Sequence, residues 1–297
     1  MVLRVLLTLC WAGWLSGLQA QVGPYDDIRP YHTALAGCEA GDCATASDAL
    51  GAALEELVGR PDTESPATAC DFMGFVASAD GRLRVWTWNW ANDNRTAGYG
   101  GLVAFSEGRG EAPRFTKLKD VDSADRPDEQ AAVSAENWHG ALYYAMVPDA
   151  IDKNTWLLLG WDDGDAQVTR KVIEPIQWRP RGLRFGAPVL QSPKGMKKRH
   201  VLEYADAVQA SLRFQAETRG REGHPDRIIF DHLAPSAPHL EGITAFYGPD
   251  MTFDAYVPGK KGGAPWVLQL EAPAAVILEG DRPFSDPRQR NGRGNQR

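Results

Sequence analysis

The sequence has no apolar run long enough to cross a membrane as a helix. Such a helix needs about 20 consecutive apolar residues, and the run at residues 5–18 is shorter and contains Thr8 and Ser16. We therefore expect no transmembrane segment in the mature chain. With Arg4 before it and Ala20 at a plausible cleavage point, the run has the pattern of a signal peptide. The sequence predicts an exported protein, either periplasmic or secreted.

Basic residues are too few to support a nucleic-acid partner. Lysine and arginine total 32 against 39 acidic residues, which gives a formal net charge of −7. Removal of Arg4 with the signal peptide makes this −8, and residues 281–297, with five Arg and two Asp, carry +3, so the remaining body carries −11. Phosphate binding needs clustered cations, so no nucleic-acid partner is expected. The basic tail has almost no apolar side chains and is predicted to be disordered.

Cysteine is scarce, and its spacing favours one disulfide. Three cysteines remain once Cys10 is removed with the signal peptide. Cys38 and Cys43 lie five residues apart in a segment with Gly and Asp between them, and an oxidising compartment favours disulfides. We predict that these two pair and leave Cys70 odd; a bond from Cys70 to one of them is the alternative. A second Cys or His pair at zinc-like spacing is absent.

The sequence also lacks the common catalytic motifs. It contains no G-x-S-x-G, H-E-x-x-H, C-x-x-C, P-loop or Rossmann glycine pattern. The leading hypothesis is therefore a binding or structural protein of the cell envelope, with a glycan or another envelope component as the partner. The alternative is a hydrolase of envelope polymer or carbohydrate that gathers carboxylates from separate strands. Such carboxylates must lie about 5–10 Å apart in space, which the sequence does not reveal.

A short helical segment is predicted near the N-terminus. Residues 44–57 place Ala46, Leu50, Leu54 and Leu57 at helical spacing. Thr45 or Ser47 is expected to cap this helix, and Gly59 with Pro61 to end it. Residues 61–69, rich in Pro, Ser and Thr, read as a linker.

From residue 71 onward the pattern changes to that of short strands. Apolar residues alternate along 83–90, and similar runs recur at 101–105, 141–147, 155–161, 168–173, 183–190, 199–204, 209–215, 227–230, 252–257 and 265–270. Turn signals separate them, notably at 79–81 and 163–165. The sequence predicts a mainly β fold of antiparallel meander sheets, either a sandwich, a barrel or a propeller-like form. The expected division is a signal peptide at 1–20, a helical segment and linker at 21–66, a β domain at 67–279 and the tail at 280–297.

Tryptophan provides the first candidate binding residues. Trp86, Trp88 and Trp90 fall on one face of the same predicted strand. An exposed aromatic stripe can stack on sugar rings or on a partner. Three exposed Trp side chains in a row would, however, form an apolar patch that soluble monomers rarely tolerate. We therefore predict that Trp86 and Trp88 are mostly buried and that Thr87 and Asn89 face solvent or a wetter layer.

Polar residues supply two further candidate sites. Asp231 beside His232 could orient an imidazole, although a Pro-rich loop there favours a structural role. Asp162, Asp163 and Asp165 could hold a calcium ion, which prefers several oxygen ligands from one loop. The acidic run at 120–128 offers the same chemistry, but neither run has the EF-hand pattern. No other cofactor is expected.

Four segments also occur in a recognisable order, at residues 72–90, 158–174, 185–188 and 229–256. In sequence and order they resemble a family of uncharacterised exported bacterial proteins that is frequent in the Bacteroidetes. The resemblance covers roughly residues 70–270 and implies export and an envelope location. It implies no catalytic residues, because that family has no assigned function. The pair Trp88 and Trp90 and the basic tail depart from the family pattern.

Overall fold

The fold is mainly β, with two short helices before the first strand. A computed structural model describes residues 23–39, 41–60, 70–92, 95–108, 111–148, 154–218, 223–259 and 266–273. The predicted signal peptide, linker and basic tail lie outside the described residues. The helices are α1 (Arg29–Ala36) and α2 (Cys43–Gly59). The strands are β1 (Gly74–Ala77), β2 (Leu83–Ala91), β3 (Ala97–Phe105), β4 (Arg114–Lys119), β5 (Leu142–Pro148), β6 (Thr155–Asp162), β7 (Val168–Arg179), β8 (Gly182–Phe185), β9 (Leu190–Ser192), β10 (Gly195–Lys197), β11 (His200–Ala205), β12 (Leu212–Gln215), β13 (Arg227–Pro235), β14 (Tyr247–Pro258) and β15 (Trp266–Gln269).

The predicted helix forms, but its cap is not the predicted one. Helix α2 buries Leu50, Leu54 and Leu57, as their spacing requires. Its N-cap residue is Asp42, without a side-chain hydrogen bond, so the prediction of a Thr45 or Ser47 cap is wrong. Ser47 lies one turn inside the helix and faces sheet 1, where its hydroxyl accepts a hydrogen bond from the Trp88 indole. A buried indole N–H needs such a partner.

The strands form three sheets. Sheet 1 has the order β1-β2-β3-β4, and sheet 2 has the order β11-β7-β6-β5 with β8 also paired to β7. Sheet 3 has the order β10-β9-β15-β14-β13-β12, in which only the β15–β9 pair is parallel. Two of the tight turns are the predicted ones. Gly81 (φ +72°) closes the β1–β2 hairpin, and Gly164 (φ +70°) closes the β6–β7 hairpin.

The sheets pack face to face in sequence order and give three cores. The helices cover one face of sheet 1 around Leu54 and Trp86, and sheets 1 and 2 enclose a second core around Phe105 and Trp178. Sheets 2 and 3 enclose a third core around Leu157. Because sheet 1 and sheet 2 are covered on both sides, β3 and β6 are buried along their whole length. Such strands read as continuous apolar runs instead of alternating ones.

Several strand assignments differ from the sequence prediction for local physical reasons. Residues 183–190 form two strands, β8 and β9, because Gly186 (φ +87°) turns the backbone between them. Strand β4 escaped prediction because it is the edge of sheet 1 and buries only Leu118. Strands β13 and β14 are longer than expected, so the segment from Asp231 to Pro235 is strand and not loop.

The predicted disulfide is confirmed. Cys38 and Cys43 are bonded, with their Cα atoms 5.2 Å apart, and Cys70 is the free cysteine of the described residues. The bond joins the end of α1 to the start of α2. Among the described residues no helix has the length and apolarity that a membrane crossing requires.

Candidate functional site

The tryptophan stripe of β2 runs from the core to a surface cleft. Trp86 and Trp88 are 0% and 2% exposed, which confirms their predicted burial. Trp90, at the end of the strand, is partly exposed and packs only against the margin of the helix–sheet core. Opposite it, a Cβ on Gly98 would come within 2.3 Å of the indole. A side chain at residue 98 would therefore displace the ring.

The prediction for the other face of β2 is wrong at Thr87. This residue is fully buried, and its hydroxyl accepts a hydrogen bond of 3.0 Å from the Tyr143 backbone N–H. The reason is that sheet 2 covers this face of sheet 1. Asn89, nearer the strand end, is only partly buried. Both faces of β2 are thus buried at its centre, and its end at Trp90 and Ala91 reaches the surface.

The cleft beside Trp90 has a volume of about 970 Å³ and a lining of both polar and apolar residues. Its walls come from the start of α2, the ends of β2 and β3, the loop after β4 and the β6–β7 hairpin. Such a space is large enough for a small ligand of several rings. The polar residues that line it are Asn92, Thr96, Asp120, Asp122, Asp165 and Arg170.

A buried ion network lies behind the cleft and is centred on Asp162. This carboxylate is fully buried; His139 Nε2 and Arg170 Nη1 each lie 3.3 Å from its Oδ2, and Arg126 Nε lies 3.6 Å away. Burial by itself would raise the pKa of Asp162, but the His139 imidazole and the two guanidinium groups outweigh burial and hold that pKa well below its ordinary value. Asp162 is therefore a permanent anion that fixes two arginines in place.

Among the carboxylates that line the cleft, Asp120 has a raised pKa. Its Oδ2 accepts a hydrogen bond of 2.9 Å from the Tyr99 backbone N–H and lies 3.4 Å from Arg126 Nη1. Burial raises the pKa of Asp120 to about 6, against the opposing effect of Arg126. Gly140 (φ +82°) leaves room for this contact, since a Cβ there would lie 2.6 Å from Arg126 Nη1. A cleft carboxyl group that titrates near neutral pH is a common sign of a functional site.

We expect the substitution Asp120→Asn to stabilise the protein above about pH 6 and to have little effect near pH 4. The folded pKa is raised, so below the unfolded value both states hold the proton and the carboxyl group has no net effect. As pH rises towards 6, the unfolded state ionises first and wild-type stability falls. The gain from Asn above pH 6 should be on the order of 1–3 kcal/mol.

Urea denaturation at both pH values measures this effect. Asp122→Asn is the matched control, because Asp122 lines the same cleft but is exposed. Equal destabilisation by Asp120→Asn at both pH values would contradict the assignment of a largely buried carboxyl group with a raised pKa.

The pair Asp231 and His232 does not form the unit that the sequence suggested. His232 Nδ1 lies 2.8 Å from Asp254 Oδ2 on the neighbouring strand, whereas Asp231 Oδ2 accepts a hydrogen bond from the Ser211 backbone N–H. The contact with Asp254 raises the pKa of His232. Neither His232 nor Asp254 lines the Trp90 cleft. Within the described residues no Ser, Thr or Cys side chain hydrogen-bonds to His232, so the pair has no adjacent nucleophile.

The predicted calcium loop places its carboxylates in other roles. The Asp162 carboxylate contacts Arg170 through Oδ2, and its Oδ1 accepts a hydrogen bond from the Gly164 backbone N–H. Asp165 Oδ1 accepts hydrogen bonds from the backbone N–H groups of Gln167 and Val168, which stabilises the turn. Asp163 is partly exposed and its backbone N–H donates to the Tyr99 hydroxyl. In the described part of the chain no group of three or more His, Cys, Asp or Glu side chains is placed to hold a metal ion.

Sequence reasoning did not connect Asp120, Arg126, His139 and Arg170 with Trp90. Asp120 belonged to an acidic run that was considered only for calcium, and His139 and the two arginines gave no signal in the sequence. An Arg six residues after an Asp is too common to be informative. The link depends on the packing of sheet 1 against sheet 2, which is not a local property.

Comparison with protein-family models, with curated proteins and with solved structures finds no match to this chain. The resemblance to exported bacterial proteins therefore stays a prediction, and the candidate site rests on its own geometry.

Proposed function

We propose that the protein is exported and binds a carbohydrate of the cell envelope in the Trp90 cleft, without a catalytic role. The observation that carries this proposal is one partly exposed tryptophan at the edge of a cleft that six polar side chains also line. An aromatic face supports the apolar side of a sugar ring, and amide, hydroxyl and carboxylate groups hydrogen-bond to its hydroxyls. Export is supported by the pattern of residues 1–20 and by the disulfide.

The charges of the cleft argue for a ligand without negative charge. Asp120, Asp122 and Asp165 line the cleft, and Arg170 is the one cationic lining residue among those that the structure describes. The Arg170 charge is already shared by Asp162 and Glu203, both in contact with its guanidinium group. An anionic ligand would therefore meet repulsion, and an apolar ligand would leave the polar lining unsolvated. A hydroxyl-rich neutral or amino sugar satisfies both conditions.

We expect Trp90→Ala to weaken binding of the sugar while the fold is retained. The ligand would lose its stacking surface, and a loss of about 1–3 kcal/mol lowers the affinity roughly 5- to 150-fold. Isothermal titration with neutral β-glucan oligosaccharides, chosen by a glycan-array screen of the wild type, measures this.

Trp90→Tyr is the matched control, because it keeps an aromatic face and should keep most of the affinity. Binding that survives Trp90→Ala but disappears in Asp122→Asn would indicate recognition by charge and would contradict stacking. A wild-type protein that binds no glycan on the array would reject the proposal altogether.

A second candidate function is hydrolysis of a glycan, favoured by the pKa of Asp120. A carboxyl group with a pKa of about 6 can donate a proton to a leaving group near neutral pH. The exposed Asp122 from the same cleft would then supply the second carboxylate that such chemistry needs. Release of reducing sugar by the wild type, lost in Asp120→Asn but not in Asp254→Asn, would support this function. Absence of turnover on every glycan that binds would leave binding as the function.

A further inference from the structure

A second cleft on the protein has the opposite electrostatic character. It lies beside the β7–β8 turn, has a volume of about 600 Å³, and includes the cationic side chains Arg179, Arg181, Arg184 and Lys198 in its lining. Arg179, Arg181 and Arg184 are exposed, and Lys198 is partly exposed. None of the residues that line the cleft is acidic. In a chain with a formal net charge of −7, four cations around one concave surface are a marked local exception.

These cations are not neutralised by neighbouring carboxylates. Most arginines elsewhere in the described residues contact an acid, as Arg170 contacts Glu203 and Arg199 contacts Glu174. By contrast, Arg181, Arg184 and Lys198 form no ion pair within the described ranges, and Arg179 contacts only the neutral Gln177 side chain. Unpaired like charges around a concave surface repel one another and focus a positive potential there. This repulsion is relieved when an anion binds.

The side chains that line the cleft indicate which kind of anion fits it. Guanidinium groups match the geometry of phosphate and carboxylate oxygens. Several of them around one space fit a group with more than one negative charge, and a phosphoryl group carries about −1.5 to −2 with three acceptor oxygens. Pro180, Ala187 and Pro188 form an apolar part of the lining. The cleft therefore has room for a phosphoryl group together with part of the molecule that carries it.

We propose that this cleft binds a phosphoryl group, either free or on a lipid headgroup. The site is independent of the Trp90 cleft, because the two share no lining residue and have opposite charge. It would give the protein a second point of attachment in the envelope, where lipid headgroups supply such groups at high local concentration. The test of this proposal is independent of carbohydrate binding, because it uses different probes and different residues.

The experiment uses inorganic pyrophosphate as the free probe and phosphatidylcholine vesicles with and without phosphatidic acid, whose headgroup is a phosphomonoester, as the lipid probe. Pyrophosphate binding is measured by isothermal titration at about 50 mM salt, where screening is weak, and vesicle binding by co-sedimentation. The variant Arg181→Glu/Arg184→Glu should weaken binding at least roughly tenfold. Lys194→Glu is the matched control, because Lys194 is exposed nearby but does not line the cleft. It should leave binding within about twofold of the wild type.

The outcomes separate the two sources and can overturn the proposal. Binding of pyrophosphate without anionic vesicles indicates a free phosphate ligand, and binding of anionic vesicles without pyrophosphate indicates a lipid headgroup. The proposal is overturned if neither probe binds, or if the double variant binds as tightly as Lys194→Glu. Both substituted arginines are exposed, so the melting curve should be unchanged. If the double variant does melt early, the neutral variant Arg181→Gln, which keeps a side chain of similar polarity, replaces it under the same criteria.

Discussion

Replacement of Trp88 by Ala should lower the free energy of unfolding by about 3–5 kcal/mol. Trp88 is 2% exposed, belongs to the core between the helices and sheet 1, and donates a hydrogen bond of 2.8 Å from its indole to Ser47. Its removal leaves a large cavity and deprives the buried Ser47 hydroxyl of its donor. Helix α2 would also lose one of its contacts with sheet 1.

Trp90→Ala is the internal comparison for this result. The two tryptophans lie on the same strand and point to the same side, but Trp90 is partly exposed. Its substitution should cost clearly less stability, because part of the side chain already contacts water. Chemical denaturation of the two variants in parallel measures the difference. An unchanged transition in Trp88→Ala would refute the assignment of this residue to the core.

The second large effect concerns the buried ion pair of Glu174 and Arg199. Both side chains are fully buried, and Arg199 donates to both carboxylate oxygens at 2.6 and 2.8 Å. Arg199 Nη1 also donates to the Asp128 carbonyl at 2.8 Å, which ties the loop before β5 to sheet 2. We expect Arg199→Ala to lower the free energy of unfolding by about 3–5 kcal/mol, because an anion would be left buried without a partner.

The double variant Glu174→Met/Arg199→Met tests the physical reason. If the cost of the single substitution comes from an uncompensated charge, removal of both charges with similar volume should restore much of the stability. Arg181→Ala, at an exposed arginine, should change stability by less than about 0.5 kcal/mol. A double variant as unstable as Arg199→Ala would show that the lost hydrogen bonds to the loop dominate instead.

Local patterns in the sequence were sufficient for most of the elements of this fold. The period of two along β2, the Gly-containing turns at Gly81 and Gly164 and the helical spacing in α2 each depend on neighbours within a few residues. The disulfide between Cys38 and Cys43 depends on a loop of similar length. The burial of Trp88 also followed, because a row of exposed tryptophans would be too apolar for a protein surface.

The sequence by itself therefore determined a mainly β chain with a helical start, a disulfide and a core tryptophan. Only the tertiary structure decided that Thr87 is buried and that Trp90 shares a cleft with Asp120 and Arg170. Thr87 and Trp90 belong to β2 of sheet 1, and Asp120 follows β4 of the same sheet. Arg170 belongs to β7 of sheet 2 and reaches the cleft through the stacking of sheet 1 on sheet 2. The physical reason is that periodicity records which side of a strand is apolar, whereas the choice of the facing sheet depends on the shape and volume of the whole core. The functional hypotheses for the two clefts therefore depend on how the sheets pack and not on the local sequence pattern.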